Sequence, residues 1–150
     1  MEDFITGVLV QNEEGATYEG TVYDRFLQLR LKQGQVLSIF DPPVPISTNL
    51  LVNEVYQMVL AVLAISVTPA AENPSELKAD EWEGTIAELD WKVPQERYRS
   101  ARPSLSSRSW VLVTTSLGQL LINRKEITSP ISVGERVRWE NIRFDLYAVI

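Results

Sequence analysis

The residues best suited to chemistry lie in a basic segment of the second half of the chain. Residues 92–109 contain five Lys or Arg residues and one Glu, whereas the whole chain has a net charge of −6. Two prolines and five serines in this segment are typical of a long loop. Because loops on a rigid scaffold often carry binding residues, the sequence predicts an anion-binding arm formed by Arg97, Arg99, Arg102 and Arg108.

Such an arm would bind phosphate, nucleic acid or an acidic protein. The alternative is a solvated loop whose arginines screen the acidic remainder of the chain, including the other half of the protein. The two interpretations differ in whether the arginine side chains stand free or contact the body of the protein.

Two aromatic residues extend the first interpretation. Trp110 directly follows the basic segment, and Phe26 occupies the corresponding position in the first half of the chain. On an outer sheet face the two rings would stack on bases, and the nearby arginines would contact phosphates. The alternative is that both rings fill the contact between the two halves, which the acidic net charge favours because it opposes a nucleic-acid backbone.

The composition excludes several kinds of catalysis. The chain contains no Cys and no His, so disulfides, thiolate chemistry, a histidine base for a serine triad and histidine metal ligands are all excluded. The sequence also lacks a glycine–lysine phosphate loop, a dinucleotide fingerprint and an EF-hand loop. We therefore predict a non-enzymatic protein with no catalytic residue, no metal and no cofactor.

Carboxylates are the main catalytic groups that remain. A catalytic pair needs two of them in one cleft with separated pKa values, and no spacing in the sequence predicts such a pair. Asp145 lies beside Arg143 on a polar face, so a cross-strand ion pair is expected there. A carboxylate-dependent enzyme stays as the second alternative function. The acidic residues considered were Asp24, Asp41, Glu54, Glu83, Asp90, Glu140 and Asp145.

The elements that must position these residues are organised around two apolar stretches, Glu54 to Val67 and Val137 to Ile150. Both are rich in β-branched residues, which favours strands, although periodicity alone also permits a buried helix. The first is apolar on both faces, so we expect it to be covered on both sides. In the second, the alternation slips at Glu140–Asn141, which indicates a β-bulge.

The two halves of the chain repeat one pattern. Phe26 to Leu37 aligns with Trp110 to Leu121 at a constant offset of 84 residues, and each stretch runs from an aromatic residue to Gly-Gln and two aliphatic residues. Upstream, Gly7 aligns with Gly84, although Glu19 to Val22 also resembles Glu83 to Ile86. Chance similarity between two β-hairpins is the alternative to a true repeat.

These patterns predict an all-β fold made of a tandem pair of small five-stranded, OB-like barrels. Copy one spans residues 1–68, a linker spans 69–81, and copy two spans 82–150 with the basic insertion at 92–109. A single ten-stranded barrel or sandwich is the alternative architecture.

The predicted function is a non-enzymatic protein-interaction or assembly module whose partner is another protein. Single-stranded nucleic-acid binding through the Arg-rich loop and its aromatic neighbours is the first alternative. The acidic beginning of the chain, Met1 to Phe4, has no leader-like pattern, so we expect a cytoplasmic location and no membrane partner.

Overall fold

The computed structural model describes residues 3–70, 77–92 and 98–150 and confirms that the protein is all-β. No helix in this described part is long and apolar enough to cross a membrane. One short helix, α1 (Pro103–Ser107), and a 3-10 turn at Arg124–Glu126 accompany the strands. The strands are β1 (Ile5–Glu14), β2 (Thr17–Tyr18), β3 (Thr21–Val22), β4 (Arg25–Leu31), β5 (Val36–Asp41), β6 (Val55–Pro69), β7 (Glu81–Trp91), β8 (Ser100–Ala101), β9 (Trp110–Thr115), β10 (Gly118–Asn123) and β11 (Arg136–Val149).

Eight of these strands form a ring in the order β5-β4-β1-β6-β10-β9-β7-β11, which closes by pairing of β11 with β5. The sheet is mixed because β6 with β10 and β5 with β11 are parallel pairs, whereas the other pairs in the ring are antiparallel. β8 adds to the edge of β11, and β2 and β3 form a separate small hairpin. The two predicted long strands are confirmed as β6 and β11.

The two long strands also pair with each other, from Val137 opposite Pro69 to Val149 opposite Met58. This ladder crosses the ring and separates two antiparallel meanders. The first meander is β1, β4 and β5, and the second is β7, β9 and β10. Register shifts in β11 flank Glu140–Asn141, which confirms the predicted irregularity.

Each meander closes through both long strands. Its first strand pairs with the long strand of its own half, and its third strand pairs in parallel with the long strand of the other half. The tandem OB-like barrels are not confirmed, because all eight strands belong to one sheet. The physical reason is strand length: β6 has 15 residues and β11 has 14, enough for each to serve both meanders.

The predicted linker falls between two strands of this sheet. β6 ends at Pro69 and β7 begins at Glu81, while residues 71–76 of the linker lie outside the described residues. The division at 69–81 therefore coincides with a connection between elements. The division into two copies, residues 1–68 and 82–150, that fold as separate units stays a prediction.

Two buried clusters hold the sheet together. The larger fills the interior of the ring with side chains from both meanders and both long strands, among them Leu29, Met58, Leu60, Val113, Leu120 and Leu146. The smaller lies on the outer face of the second meander, where Trp110 and Leu112 alternate with the inward-facing valines of β9. Leu105 of α1 packs into this outer cluster.

Two glycines mark matching tight contacts in the first strands of the meanders. A Cβ atom at Gly7 would lie 2.6 Å from the carbonyl oxygen of Arg30, and one at Gly84 would lie 2.9 Å from the carbonyl oxygen of Thr114. Arg30 and Thr114 are themselves separated by the 84-residue offset of the repeat. The same steric constraint therefore recurs in both halves.

We expect Gly7→Ala and Gly84→Ala each to lower the free energy of unfolding by about 1–3 kcal/mol, because the added methyl group overpacks a strand–strand contact. Urea denaturation followed by circular dichroism measures this loss. Thr6→Ala, at an exposed neighbour in β1, is the control and should have the smaller effect. Unchanged urea midpoints for both glycine variants would contradict the proposed close approach.

Candidate functional site

A concave surface with an apolar floor lies over the outer face of the first meander. It is a cavity of about 300 Å³. We call it the aromatic groove, and its lining consists of Gln11, Glu13, Phe26, Leu27, Gln28, Ser38, Ile39, Phe40, Ile142 and Arg143.

Strand alternation places the aromatic floor on this face. The leucines of β4 are buried in the ring, so Phe26 and Gln28 face outward on the same strand. Phe26 is opposite Phe40 of β5, and their ring centroids lie 5.3 Å apart at an interplanar angle of 45°. Phe26 keeps 52% of its surface exposed. An aromatic pair in a concavity with one half-exposed ring is typical of a binding surface.

Arg143 of β11 forms one end of the groove. Its guanidinium lies 4.5 Å from the centroid of the Phe40 ring. Nε donates to Oδ1 of Asp145 at 2.6 Å and Nη2 donates to Oδ2 at 3.1 Å, so the predicted ion pair forms within β11 rather than between strands. The hydrogen bonds to Asp145 are the main reason that the pKa of Arg143 is raised. The positive charge at this end is therefore largely balanced within the protein.

The opposite edge of the groove is acidic. Glu13 of β1 is opposite Phe26 in the strand register and accepts a hydrogen bond from the side chain of Gln11. Gln28 and Ser38 are paired between the strands and supply polar groups beside the aromatic floor. The groove thus combines an apolar floor, amide and hydroxyl groups, and one carboxylate that lacks a basic partner in the lining.

The matching face of the second meander is closed by the chain itself. Trp110 pairs with Asn123 at the place where Phe26 pairs with Phe40, yet only 1% of its surface is exposed. α1 covers it: Trp110 Nε1 donates to the carbonyl oxygen of Leu105 at 2.8 Å, and the Leu105 side chain is buried with the ring. Trp110 therefore has no face available for stacking on bases.

The basic insertion differs from the predicted irregular loop. Ser100 and Ala101 form β8 on the edge of β11, and Pro103 begins α1, where proline is well tolerated because the first helical N–H lacks an internal partner. We call residues 98–109 the covering segment. It packs on the body of the protein, as the self-screening interpretation requires.

Arg102 anchors the covering segment inside the protein. Its guanidinium pairs with the carboxylate of Asp41, and the two residues are only 7% and 0% exposed. Asp41 also accepts from the backbone N–H of Ser47 at 2.8 Å. The remaining N–H groups of Arg102 donate to carbonyl oxygens of Pro42, Pro43, Val44 and Leu146. Arg102 therefore bridges the second half to the end of β5 rather than facing solvent.

The other predicted arginines have different surroundings. Arg99 and Arg108 are exposed, and each guanidinium carbon lies 6.0 Å from a tyrosine ring, Tyr56 and Tyr147 respectively. Arg108 Nη1 also donates to the Tyr147 hydroxyl at 2.8 Å. Arg97 lies outside the described residues. Of the five predicted site residues that the structure describes, Phe26 is the one in the aromatic groove.

A second, more polar cavity of about 310 Å³ lies over the β6–β11 ladder and shares Arg143 with the aromatic groove. It brings Arg108, Glu126 and Tyr147 together. Burial raises the pKa of Glu126, and a hydrogen bond from the backbone of Ala64 partly opposes this. Burial also raises the pKa of Tyr147. Within the described residues, Oε2 of Glu126 is buried without a hydrogen-bond partner.

A carboxylate pair occurs elsewhere, at the surface. The pKa of Glu140 is raised, chiefly because its carboxyl group shares a hydrogen bond with Asp80. Both side chains are in contact with solvent in an open groove, which gives little of the burial that separates pKa values in acid–base catalysis. Among residues 3–70, 77–92 and 98–150, no cluster of three acidic residues is placed to hold a metal ion.

No family model, curated protein or solved structure matches this chain. Functional inference therefore depends on the geometry described above. Sequence reasoning missed Phe40, Ile142 and Arg143 as groove residues. Phe40 could have been found from the sequence, because it alternates in phase with Ser38 on β5. Ile142 and Arg143 could not, because no sequence pattern indicated that β11 approaches β5.

We expect Arg102→Met to lower the free energy of unfolding by about 3–5 kcal/mol, because it leaves the Asp41 carboxylate buried without a cation. Urea denaturation measures the loss. Arg99→Met removes an exposed arginine from the same segment and should change stability by less than about 0.5 kcal/mol. Equal effects of the two variants would show that the buried pair does not hold the segment.

Glu126→Gln tests the effect of burial on an ionisable group. The native pKa of Glu126 is raised above the value of 4.5 expected for an exposed glutamate, so its contribution to stability is present below pH 4.5 and is lost as pH rises through the native pKa. Glutamine cannot ionise, so the melting temperature of Glu126→Gln relative to wild type should increase between pH 4 and pH 7. Glu14→Gln is the control for removal of one exposed charge, and a pH-independent difference for Glu126→Gln would refute the assignment.

Proposed function

We propose that this protein is a non-enzymatic interaction module that binds a segment of another protein in the aromatic groove. The observation that carries the proposal is the contrast between matching faces. The face of the second meander is covered by the chain's own covering segment, whereas the face of the first meander, with Phe26 and Phe40, is open.

The position of the groove is consistent with a fused pair of OB-like barrels. Two series of paired strands can be followed, β6-β1-β4-β5-β11 and β11-β7-β9-β10-β6. Each series is closed into a ring by the pairing of β6 with β11. In this proposal each five-stranded barrel takes its fifth strand from the other half. OB-type barrels bind extended ligands over their second and third strands, which here are β4 and β5.

The lining favours a protein ligand over a nucleic acid. Glu13 is negative, and the charge of Arg143 is balanced by Asp145. A phosphate backbone would meet a chain with a net charge of −6 and no free basic residue in the groove. An aromatic floor with amide and hydroxyl groups beside it suits an apolar side chain and the peptide groups that flank it.

Selection from a displayed peptide library tests this function. Peptides selected on the wild-type protein should bind Phe26→Ala at least about tenfold more weakly, because a central aromatic anchor contributes strongly to an interface. Fluorescence anisotropy gives the affinities. Tyr18→Ala removes another exposed aromatic residue, outside the groove, and should leave the affinities unchanged. The proposal fails if no selected peptide depends on Phe26.

Single-stranded nucleic-acid binding is the second candidate. The observation in its favour is the pair of Phe26 and Phe40, with Phe26 half-exposed, on the strands that OB-type barrels use for stacking. It requires labelled oligonucleotides to bind at low salt, with an affinity that falls steeply as salt is added and that depends on Phe26. Such a result would replace the protein-binding proposal.

A further inference from the structure

We infer that the ligand of the aromatic groove is a basic peptide that forms a single helical turn and places one aliphatic side chain on the Phe26–Phe40 floor. This inference rests on the proposed function and adds the chemistry of the partner. The covering segment on the second meander provides the template, because it occupies the matching face of the same protein.

The correspondence between the two faces follows from the strand register. In the first meander Phe26 is opposite Phe40, and in the second Trp110 is opposite Asn123. Each pair lies at the end of its hairpin that is farthest from the turn. A ligand that sits on one floor therefore has its geometric counterpart on the other.

Besides the buried Arg102–Asp41 pair, three features hold the covering segment on its face. Leu105 is 1% exposed and packs against Trp110 as an aliphatic anchor. Its carbonyl oxygen accepts a hydrogen bond from Trp110 Nε1, and the preceding strand β8 pairs with the edge of β11. The segment thus consists of a strand addition, a helical turn and one buried leucine, with the exposed arginines Arg99 and Arg108 on either side.

The open groove offers the same main attraction to an external segment. Phe26 and Ile142 expose 52% and 55% of their surfaces, which is apolar area that an aliphatic anchor would remove from water. Gln28 and Ser38 take the positions of Leu112 and Leu121 on the covered face. Their side-chain donors can satisfy the carbonyl groups of a helical turn, a role that Trp110 Nε1 has on the other face.

The charge of the groove lining favours a basic partner. The lining contains one negative residue, Glu13, and one positive residue, Arg143, whose charge is already balanced by Asp145. The field in the groove is therefore negative, as is that of the whole chain. Arginines that flank the anchor of an incoming segment would be attracted to this negative groove. Arg99 and Arg108 flank Leu105 in the same way beside the covered face.

A labelled peptide with the sequence of residues 98–109 is the probe. Titration with the full-length protein should give a fluorescence anisotropy signal with a dissociation constant below about 1 mM. Phe26→Ala in the protein should weaken binding at least about tenfold, and replacing the leucine of the peptide by alanine should have a similar effect. Tyr18→Ala is the matched control and should bind the peptide as wild type does.

The outcomes separate this inference from the proposed function. Binding that is weaker than about 1 mM, or binding that is insensitive to Phe26 or to the peptide leucine, overturns the inference. If the peptide library instead gives Phe26-dependent ligands that are acidic or lack an aliphatic anchor, the interaction module stands and the basic helical-turn ligand does not. If neither the probe nor the library depends on Phe26, both proposals fail together.

Discussion

The antiparallel ladder between β6 and β11 is the constraint on which the rest of the structure depends. The middle of β6 is buried on both faces: Met58 and Leu60 face the interior of the ring, while Val59 and Ala61 face the outer cluster. A strand of this kind must be covered on both sides. Side chains of the two meanders cover the face inside the ring, and the outer cluster, with Leu105 of α1, covers the other face.

The shared ladder ties the halves together at sites distant in sequence. Each third strand, β5 or β10, completes its pairing only on the long strand of the opposite half. The Arg102–Asp41 pair adds a polar tie between the insertion and the end of β5, across 61 positions in the sequence. Because that pair is buried, its geometry is fixed, and the covering segment is held in one arrangement over the second meander.

Local patterns in the sequence were sufficient to predict the two long strands but not their partners. Apolar alternation identified β6 and β11, whereas the close strand contacts at Gly7 and Gly84 became visible only in the structure. The same alternation says which face of a strand is buried, but not which neighbour pairs with its edge, so the exchange of long strands was not predictable. The partner of Arg102 was hidden for a similar reason, since a buried ion pair has no local signature.

The two matching faces differ in a way that explains why only one is covered. At the positions next to the aromatic floor, the second meander has Leu112 and Leu121, whereas the first has Gln28 and Ser38. Without α1 the second face would expose a contiguous apolar patch of the kind that drives aggregation. The first face carries polar side chains at the same positions and can remain exposed to solvent. Its open state is therefore specified by the sequence of β4 and β5, which leaves Phe26 half-exposed beside polar neighbours.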